Sequence, residues 1–154
     1  MPTPACPHAC LVGVHAVTVP GACSAWVDTV EAFGTMSIAD VLAPATAMAR
    51  EGWPVAPVVA ALWDKGKDLL SNGPYGDELL LDGRPPAAGE IMSNPTLADT
   101  FDAVAAEGKA GFYSGRVAEA MVDVLGSLGG TMTLEDLVRF LRPRRGGGHQ
   151  KVVG

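Results

Sequence analysis

Apolar residues recur at helical spacing along most of the chain. In the first clear segment Trp26, Val30 and Phe33 lie at positions i, i+4 and i+7, and Gly34 ends the pattern, which predicts a helix over residues 22–33. The preceding residues, 14–19, are rich in valine and predict a short strand. We expect that strand to end at Pro20, because proline removes a backbone donor.

A second apolar stripe follows a strong helix-start signal. Ser37 can accept a hydrogen bond from a first-turn N–H, and Asp40 stands where a capping box places its acid. The helix is expected to end at Gly52 and to be kinked at Pro44. The residues predicted to face the core are Ile38, Val41, Leu42, Ala45 and Met48.

Pro57 fits the first turn of a third helix that runs towards Asn72. Its predicted inward-facing residues are Val58, Leu62 and Leu69, with Trp63 as a further candidate. Asp82 and Gly83 form a turn signal, and residues 84–94 are predicted to be a loop.

Three more helices are predicted in the second half of the chain. Asn94 and Pro95 provide a cap and a first helical residue, and Thr133 opens a last short helix in the same way. The predicted core residues of the first of the three are Leu97, Phe101, Val104 and Ala105. Those of the second are Val117, Met121, Val124, Leu125 and Leu128, before Gly129 and Gly130 end it.

The fold class that follows is mainly α, with five or six short helices and one or two short strands. The chain has 154 residues, of which 19 are glycine and 12 are proline, so elements should be short and loops frequent. We predict an irregular tail over residues 1–13, one body over 14–140, and a basic, glycine-rich, disordered tail over 141–154.

The formal net charge of −6 is unevenly distributed. Five of the 11 basic residues lie in the last 16 positions, so the body is more acidic than the total suggests. They are Arg139, Arg142, Arg144, Arg145 and Lys151. An acidic body repels phosphate and argues against nucleic-acid binding. No apolar run is long enough for a membrane span and no signal-peptide pattern opens the chain, so we expect a cytoplasmic protein.

Cys6, His8 and Cys10 form the most metal-like cluster, with His15 and Cys23 near it in sequence. One residue between ligands is tight for a single tetrahedral site, and no second ligand pair follows. An irregular tail is the favoured interpretation, and no metal or other cofactor is predicted.

Nucleophilic catalysis needs a hydroxyl or thiol beside a base. The available histidines are His8, His15 and His149, two of them near the chain ends, and neither a nucleophile elbow nor a phosphate-binding loop occurs. Three acidic pairs are interpreted as solvated surface or caps: Asp28 with Glu31, Asp77 with Glu78, and Glu135 with Asp136. The tryptophans, Trp26, Trp53 and Trp63, are interpreted as packing anchors.

Several motifs resemble the gamma-glutamyltranspeptidase family in the family's order. They are HAVTVPGACSAW at 15–26, SIADVLAPATAMAREGWPVAP at 37–57, and within 79–137 a P-x-L-A-x-T, an E-G-x-x-x-F-Y-x-G and a G-G-x-x-T-x-E-D-L pattern. The resemblance covers about residues 15–137 and is strongest to glutathione-hydrolase-like members.

The resemblance implies a segment of the large subunit, from the helical lobe of an αββα N-terminal-nucleophile hydrolase. Such enzymes are made as longer proenzymes, and a threonine freed by self-cleavage attacks the γ-glutamyl amide of glutathione or a related substrate. In the family the carboxylate-binding arginine lies upstream of this segment and the Thr-Thr-His-like nucleophile run lies downstream. Thr131, Thr133 and the pair Gly129 and Gly130 do not match those motifs. No catalytic or substrate-binding residue is therefore assigned.

Three hypotheses follow. The chain is a truncated family member that is inactive alone, a piece of a longer active proenzyme, or a helical interaction module that pairs with a related subunit. The implied partners are a small-subunit-like chain or a full-length relative. We also expect helix stripes that face the family's sheet to be exposed here.

Overall fold

The computed structural model describes residues 13–142. Within this range the chain is mostly helical, which confirms the predicted fold class. The α-helices are α1 (Ala22–Phe33), α2 (Ile38–Glu51), α3 (Pro57–Lys65), α4 (Lys67–Ser71), α5 (Pro95–Glu107), α6 (Ala110–Tyr113), α7 (Gly115–Ser127) and α8 (Leu134–Val138). The strands are β1 (Trp53–Pro54) and β2 (Ile91–Met92), and short 3-10 helices lie at Val14–Ala16, Gly76–Leu79 and Arg139–Leu141.

The predicted strand over residues 14–19 is wrong. Residues Val14–Ala16 form a 3-10 helix, and Val17 is extended without belonging to a named strand. A valine-rich segment becomes a strand only when a neighbour supplies its ladder hydrogen bonds. In residues 13–142 the only sheet pairs β1 with β2, with Trp53 opposite Met92. β2 also corrects the prediction that residues 84–94 form only a loop.

The predicted helix starts are confirmed. The Ser37 hydroxyl accepts from the Asp40 N–H at 3.1 Å, and Asn94 Oδ1 accepts from the Leu97 N–H at 2.9 Å. Thr133 and Asp136 form a complete capping box. The turn at Asp82 and Gly83 has positive φ at both residues, as a type I′ turn requires.

Pro44 lies inside α2, which nevertheless continues from Ile38 to Glu51. The buried residues of α2 are Leu42, Thr46 and Ala49, whereas Val41 and Met48 are exposed, so the predicted stripe of α2 is only partly correct. Thr46 can be buried because its hydroxyl donates to the Leu42 carbonyl at 3.1 Å.

The inward orientation predicted for the third helix is also wrong. Val58, Leu62 and Leu69 are 72%, 61% and 64% exposed, while Trp63 is half-buried. Leu128 of the predicted α7 stripe is exposed as well. The sequence pattern identifies these residues as apolar, but the described part of the chain has nothing packed over them.

One core joins the helices on either side of the β1–β2 pair. Its buried members come from α1, α2, α5, α6, α7 and α8: Cys23, Val27, Leu42, Val104, Tyr113, Ala118 and Leu137. Tyr113 is the largest of them and lies in α6, a four-residue helix that the apolar periodicity did not predict. Ion pairs from Arg50 on α2 to Asp99 and Asp102 on α5 add a polar edge to this core.

Candidate functional site

A cluster of polar groups lies where the chain bends into α1. The Tyr113 hydroxyl donates to the Pro20 carbonyl at 2.6 Å and accepts from the Ser24 N–H at 3.0 Å. Burial raises the pKa of Tyr113, so the phenol keeps the proton that it donates. The ring stacks on Phe140 with centroids 5.4 Å apart. One side chain therefore holds the bend, the start of α1 and the end of the described chain together.

Cys23 lies beside this cluster but is a poor nucleophile. Its side chain is buried, and burial raises the pKa of the thiol to about 11, although the positive charge of Lys109 acts in the opposite direction. A thiol with such a pKa stays protonated near neutral pH, and the thiolate is the reactive form. Cys23 is thus a small apolar member of the core.

Ser24 is the buried hydroxyl of the cluster. Its Oγ makes only long contacts, 3.4 Å to Asp28 Oδ2 and 3.5 Å to the Phe140 carbonyl. Asp28 in turn pairs with Lys109, and both of those side chains are largely buried. An aspartate that is neutralised by lysine is not a general base for serine, and no imidazole is described beside it. The arrangement ties α1 to the start of α6.

A cleft of about 850 Å³ adjoins the bend, with Val17 and Pro20 in its lining. Val117, Met121 and Val124 of α7 line the cleft, and so do Tyr75 and Glu78. The polar groups of the lining include Glu78, Thr96, Thr100, Arg116 and Asp123. Charges of both signs on an apolar floor suit a packing partner as well as a ligand, and this lining brings together no nucleophile and base.

The metal-like cluster of the sequence is only partly visible. Cys6, His8 and Cys10 lie outside the described residues, as does His149. His15 is exposed and Cys23 is buried. Across residues 13–142 no group of three or more histidine, cysteine, aspartate or glutamate side chains could hold a metal ion.

Members of the acidic pairs form ion pairs or helix caps in the structure. Asp28 pairs with Lys109. Asp136 accepts from the Thr133 hydroxyl and from the Thr133 N–H, and these hydrogen bonds lower the pKa of Asp136. Glu135 pairs with Arg139 at 3.4 Å. Trp26 is 45% exposed and packs edge-on against Phe101, with centroids 6.5 Å apart.

Sequence reasoning missed Tyr113, although it lies in the quoted E-G-x-x-x-F-Y-x-G pattern. Its role depends on residues about 90 positions away, Pro20 and Ser24. The sequence shows only a tyrosine near small residues and outside any apolar stripe. That pattern does not indicate which residues its hydroxyl bonds.

Comparison with known proteins gives the family. The gamma-glutamyltranspeptidase family model matches residues 4–144, a range wider than the 15–137 of the resemblance. The chain is 35% identical over 122 residues to the glutathione hydrolase-like YwrD proenzyme of Bacillus subtilis, and 32% identical over 131 residues to the acylase ACY 1 proenzyme of Pseudomonas sp. strain SE83. It covers 23% and 24% of these two proteins, which cover 79% and 84% of it.

Solved structures of similar fold support the same family. A gamma-glutamyltranspeptidase of Helicobacter pylori superposes with a TM-score of 0.78 at 23% identity, over 81% of this chain and 36% of that one. A cephalosporin acylase from Bacillus halodurans superposes with a TM-score of 0.75 at 34% identity, over 81% of this chain and 25% of that one. The fold is thus that of part of an N-terminal-nucleophile hydrolase.

The chain belongs to the gamma-glutamyltranspeptidase family. It spans about a quarter of the length of the curated relatives just named. Within residues 13–142 none of the helices is both long and apolar enough to cross a membrane.

Proposed function

We propose that this chain supplies the helical lobe of the large subunit of a γ-glutamyl hydrolase or transferase and does not catalyse the reaction alone. The family match and the similarity to glutathione hydrolase proenzymes of Bacillus subtilis support the reaction class. In such an enzyme an N-terminal threonine would attack a γ-glutamyl amide, with water or an amino acid as acceptor. The lobe would contribute shape and stability.

The observation that carries the proposal is that the candidate nucleophiles serve packing and capping roles. The Cys23 thiol is buried and protonated, and the Thr133 hydroxyl caps α8. The Ser24 hydroxyl lies against an aspartate whose charge Lys109 neutralises. Each group has a packing or capping role, and in the described range none has the adjacent base that activation requires.

The test is an activity assay on the purified 154-residue chain with a chromogenic γ-glutamyl anilide. We expect chromophore release at the rate of the buffer blank, with the Bacillus subtilis glutathione hydrolase proenzyme as positive control. Ser24→Ala and Thr131→Ala variants are assayed in parallel. Turnover well above blank that one of these variants abolishes would refute the proposed inactivity.

The alternative, a stand-alone interaction module, has one favourable observation. Large apolar side chains on several helices are more than half exposed, among them Phe33, Met48, Val58, Leu62 and Leu69. Size-exclusion chromatography with light scattering separates the two functions. A monodisperse, well-folded monomer with no affinity for an apolar dye would leave a module without the surface that it needs.

A cytoplasmic location is part of the proposal. The free, buried thiol of Cys23 is supporting evidence, since reduced cysteines are typical of reducing compartments. Fractionation of the producing cells tests this, and recovery of the chain in the extracellular fraction would contradict it.

A further inference from the structure

The end of α4 exposes an asparagine that is followed by a glycine. Asn72 is the C-cap residue of α4, and Gly73 comes directly after it. Both residues are exposed, as are Ser71 and Pro74 on either side of them. Asparagine is chemically one of the less durable residues. A following glycine has no Cβ to shield its backbone nitrogen, so this pair is a candidate for spontaneous loss of the side-chain amide.

The reaction needs only the two residues and water. The Gly73 nitrogen attacks Cγ of Asn72 and closes a five-membered succinimide ring. The bond from Cγ to Nδ2 breaks, and ammonia leaves with the proton that the Gly73 nitrogen loses. One water molecule then opens the ring. Attack of water at Cγ gives aspartate, and attack at the backbone carbonyl carbon gives isoaspartate, in which the main chain runs through the former side chain.

The folded end of α4 holds this reaction back. The Asn72 side chain donates from Nδ2 to the Asp68 carbonyl at 2.6 Å, and the Asn72 N–H donates to the same carbonyl at 3.2 Å. The Gly73 N–H donates to the Leu70 carbonyl at 3.1 Å. The ψ of Asn72 is −7°, so the Gly73 nitrogen nearly eclipses the Asn72 nitrogen and is turned away from Cβ. Ring closure therefore requires these bonds to break and ψ to rotate.

α4 is an element that opens easily. It has five residues, and none of them is buried. Helices shorter than about 12–15 residues are marginal in water without tertiary packing. Segments with few buried contacts open locally at a low free-energy cost, without unfolding of the whole chain. The Asn72 amide is thus protected by hydrogen bonds that break often.

We propose that Asn72 is a site of spontaneous deamidation, which proceeds when the end of α4 opens. The product places a carboxylate at the C-terminal end of the helix, where the backbone carbonyls already carry partial negative charge, and the Asp68 carbonyl loses its side-chain donor. Deamidation therefore weakens α4 further. Pro74 and Tyr75, which follow directly, line the cleft, so the change affects the segment that leads into it. The reaction is independent of the proposed function.

The test is incubation of the full 154-residue chain in mildly alkaline buffer, followed by peptide mapping with mass spectrometry. The other asparagine of the chain, Asn94, is an internal control, because Pro95 has no N–H and its nitrogen cannot close the ring. We expect aspartate and isoaspartate to accumulate at Asn72 and not at Asn94. Unfolding in guanidinium should accelerate the conversion of Asn72 by about threefold or more, since the restraint of α4 is then removed.

Gly73→Ala tests the attacking nitrogen. An added Cβ crowds that nitrogen, and the conversion should slow by about tenfold. Gly126→Ala is the matched control, because it adds the same methyl group in α7 and should leave the rate unchanged. Absence of conversion at Asn72 in both the folded and the unfolded chain, or equal conversion at Asn94, would overturn the site. Equal rates at Asn72 in the folded and unfolded chains would overturn its control by α4. Circular dichroism checks that both variants fold, and the comparison of Asn72 with Asn94 needs no variant.

Discussion

At the scale of single residues, Tyr113 connects the most distant parts of the described chain. Its hydroxyl bonds both the Pro20 carbonyl and the Ser24 N–H. Tyr113→Phe keeps the ring and removes both bonds, leaving the buried Ser24 N–H without a partner. We expect the free energy of unfolding to fall by about 1–3 kcal/mol, measured by urea denaturation.

Tyr75→Phe is the matched control for that substitution. Tyr75 is 71% exposed, so loss of its hydroxyl should change the stability by less than about 0.5 kcal/mol. Equal effects of the two variants would mean that the Tyr113 hydroxyl does not hold the bend.

Glu90 supplies a pH-dependent contribution. Both of its carboxylate oxygens bond Arg84, at 2.7 Å and 2.8 Å, and one also accepts from the Ala87 N–H. The Arg84 hydrogen bonds, followed by the Ala87 N–H, lower the pKa of Glu90 from 4.5 to about 2. A depressed carboxyl pKa stabilises the fold above the unfolded value and loses that effect as the pH falls from about 4.5 towards 2.

We therefore expect Glu90→Gln to lower the stability at pH 7 and the difference from the unaltered chain to shrink as the pH approaches 3. Parallel urea titrations at pH 7, 5 and 3 measure this. Glu119→Gln, at an exposed position of α7, is the control for loss of one negative charge. A destabilisation by Glu90→Gln that is the same at every pH would show that ionisation of Glu90 is not its source.

At the scale of elements, the sequence predicts those helices and caps that depend on neighbouring residues. The helix over 22–33 and the caps at Ser37, Asn94 and Thr133 depend on neighbours within four residues, and all are confirmed. The strand expected over 14–19 depended on a partner strand and is not formed. Periodicity likewise identified Leu62 as apolar without indicating whether anything covers it.

The contact of α5 with α6 could not be predicted from the sequence, because it depends on Gly111 having no side chain. A Cβ on Gly111 would meet the Ala103 carbonyl, a backbone atom that cannot rotate away. We expect Gly111→Ala to separate α6 from α5, displace Tyr113 and destabilise the chain by about 2 kcal/mol or more, as overpacked cores do. Thermal melts followed by circular dichroism measure the loss.

Gly126→Ala tests whether that loss is specific. Gly126 lies in α7 with nothing within 4 Å of an added Cβ, so alanine should be neutral or should stabilise the chain by about 0.4–1 kcal/mol. A destabilised Gly126→Ala would indicate that helix substitutions in general are harmful here. In that case the Gly111 result would say little about the close approach.

At the scale of the whole molecule, the family could be recognised from ordered motifs, but the central cluster could not. Cys23, Tyr113 and Lys109 are brought together by α1, α5 and α6 meeting in one core. The spacing of residues in the sequence does not show that these helices pack together. The thiol, phenol and amine side chains alone suggest a reactive site, but their burial argues against one. The absence of an assigned catalytic residue in this segment stays a prediction, which the activity assay tests.

The exposed apolar surface determines how the isolated chain should behave in solution. Val58, Leu62 and Leu69 lie on α3 and α4, and Val41 and Met48 lie on α2; all five are at least 46% exposed. We expect the 154-residue chain to bind an environment-sensitive apolar dye and to associate as its concentration rises. Leu62→Glu and Met48→Glu should each reduce the dye signal, and the double variant should reduce it further, since distant sites act additively. Ser71→Glu controls for added charge. A cooperative melt at high temperature with no dye binding would show instead that these side chains are covered.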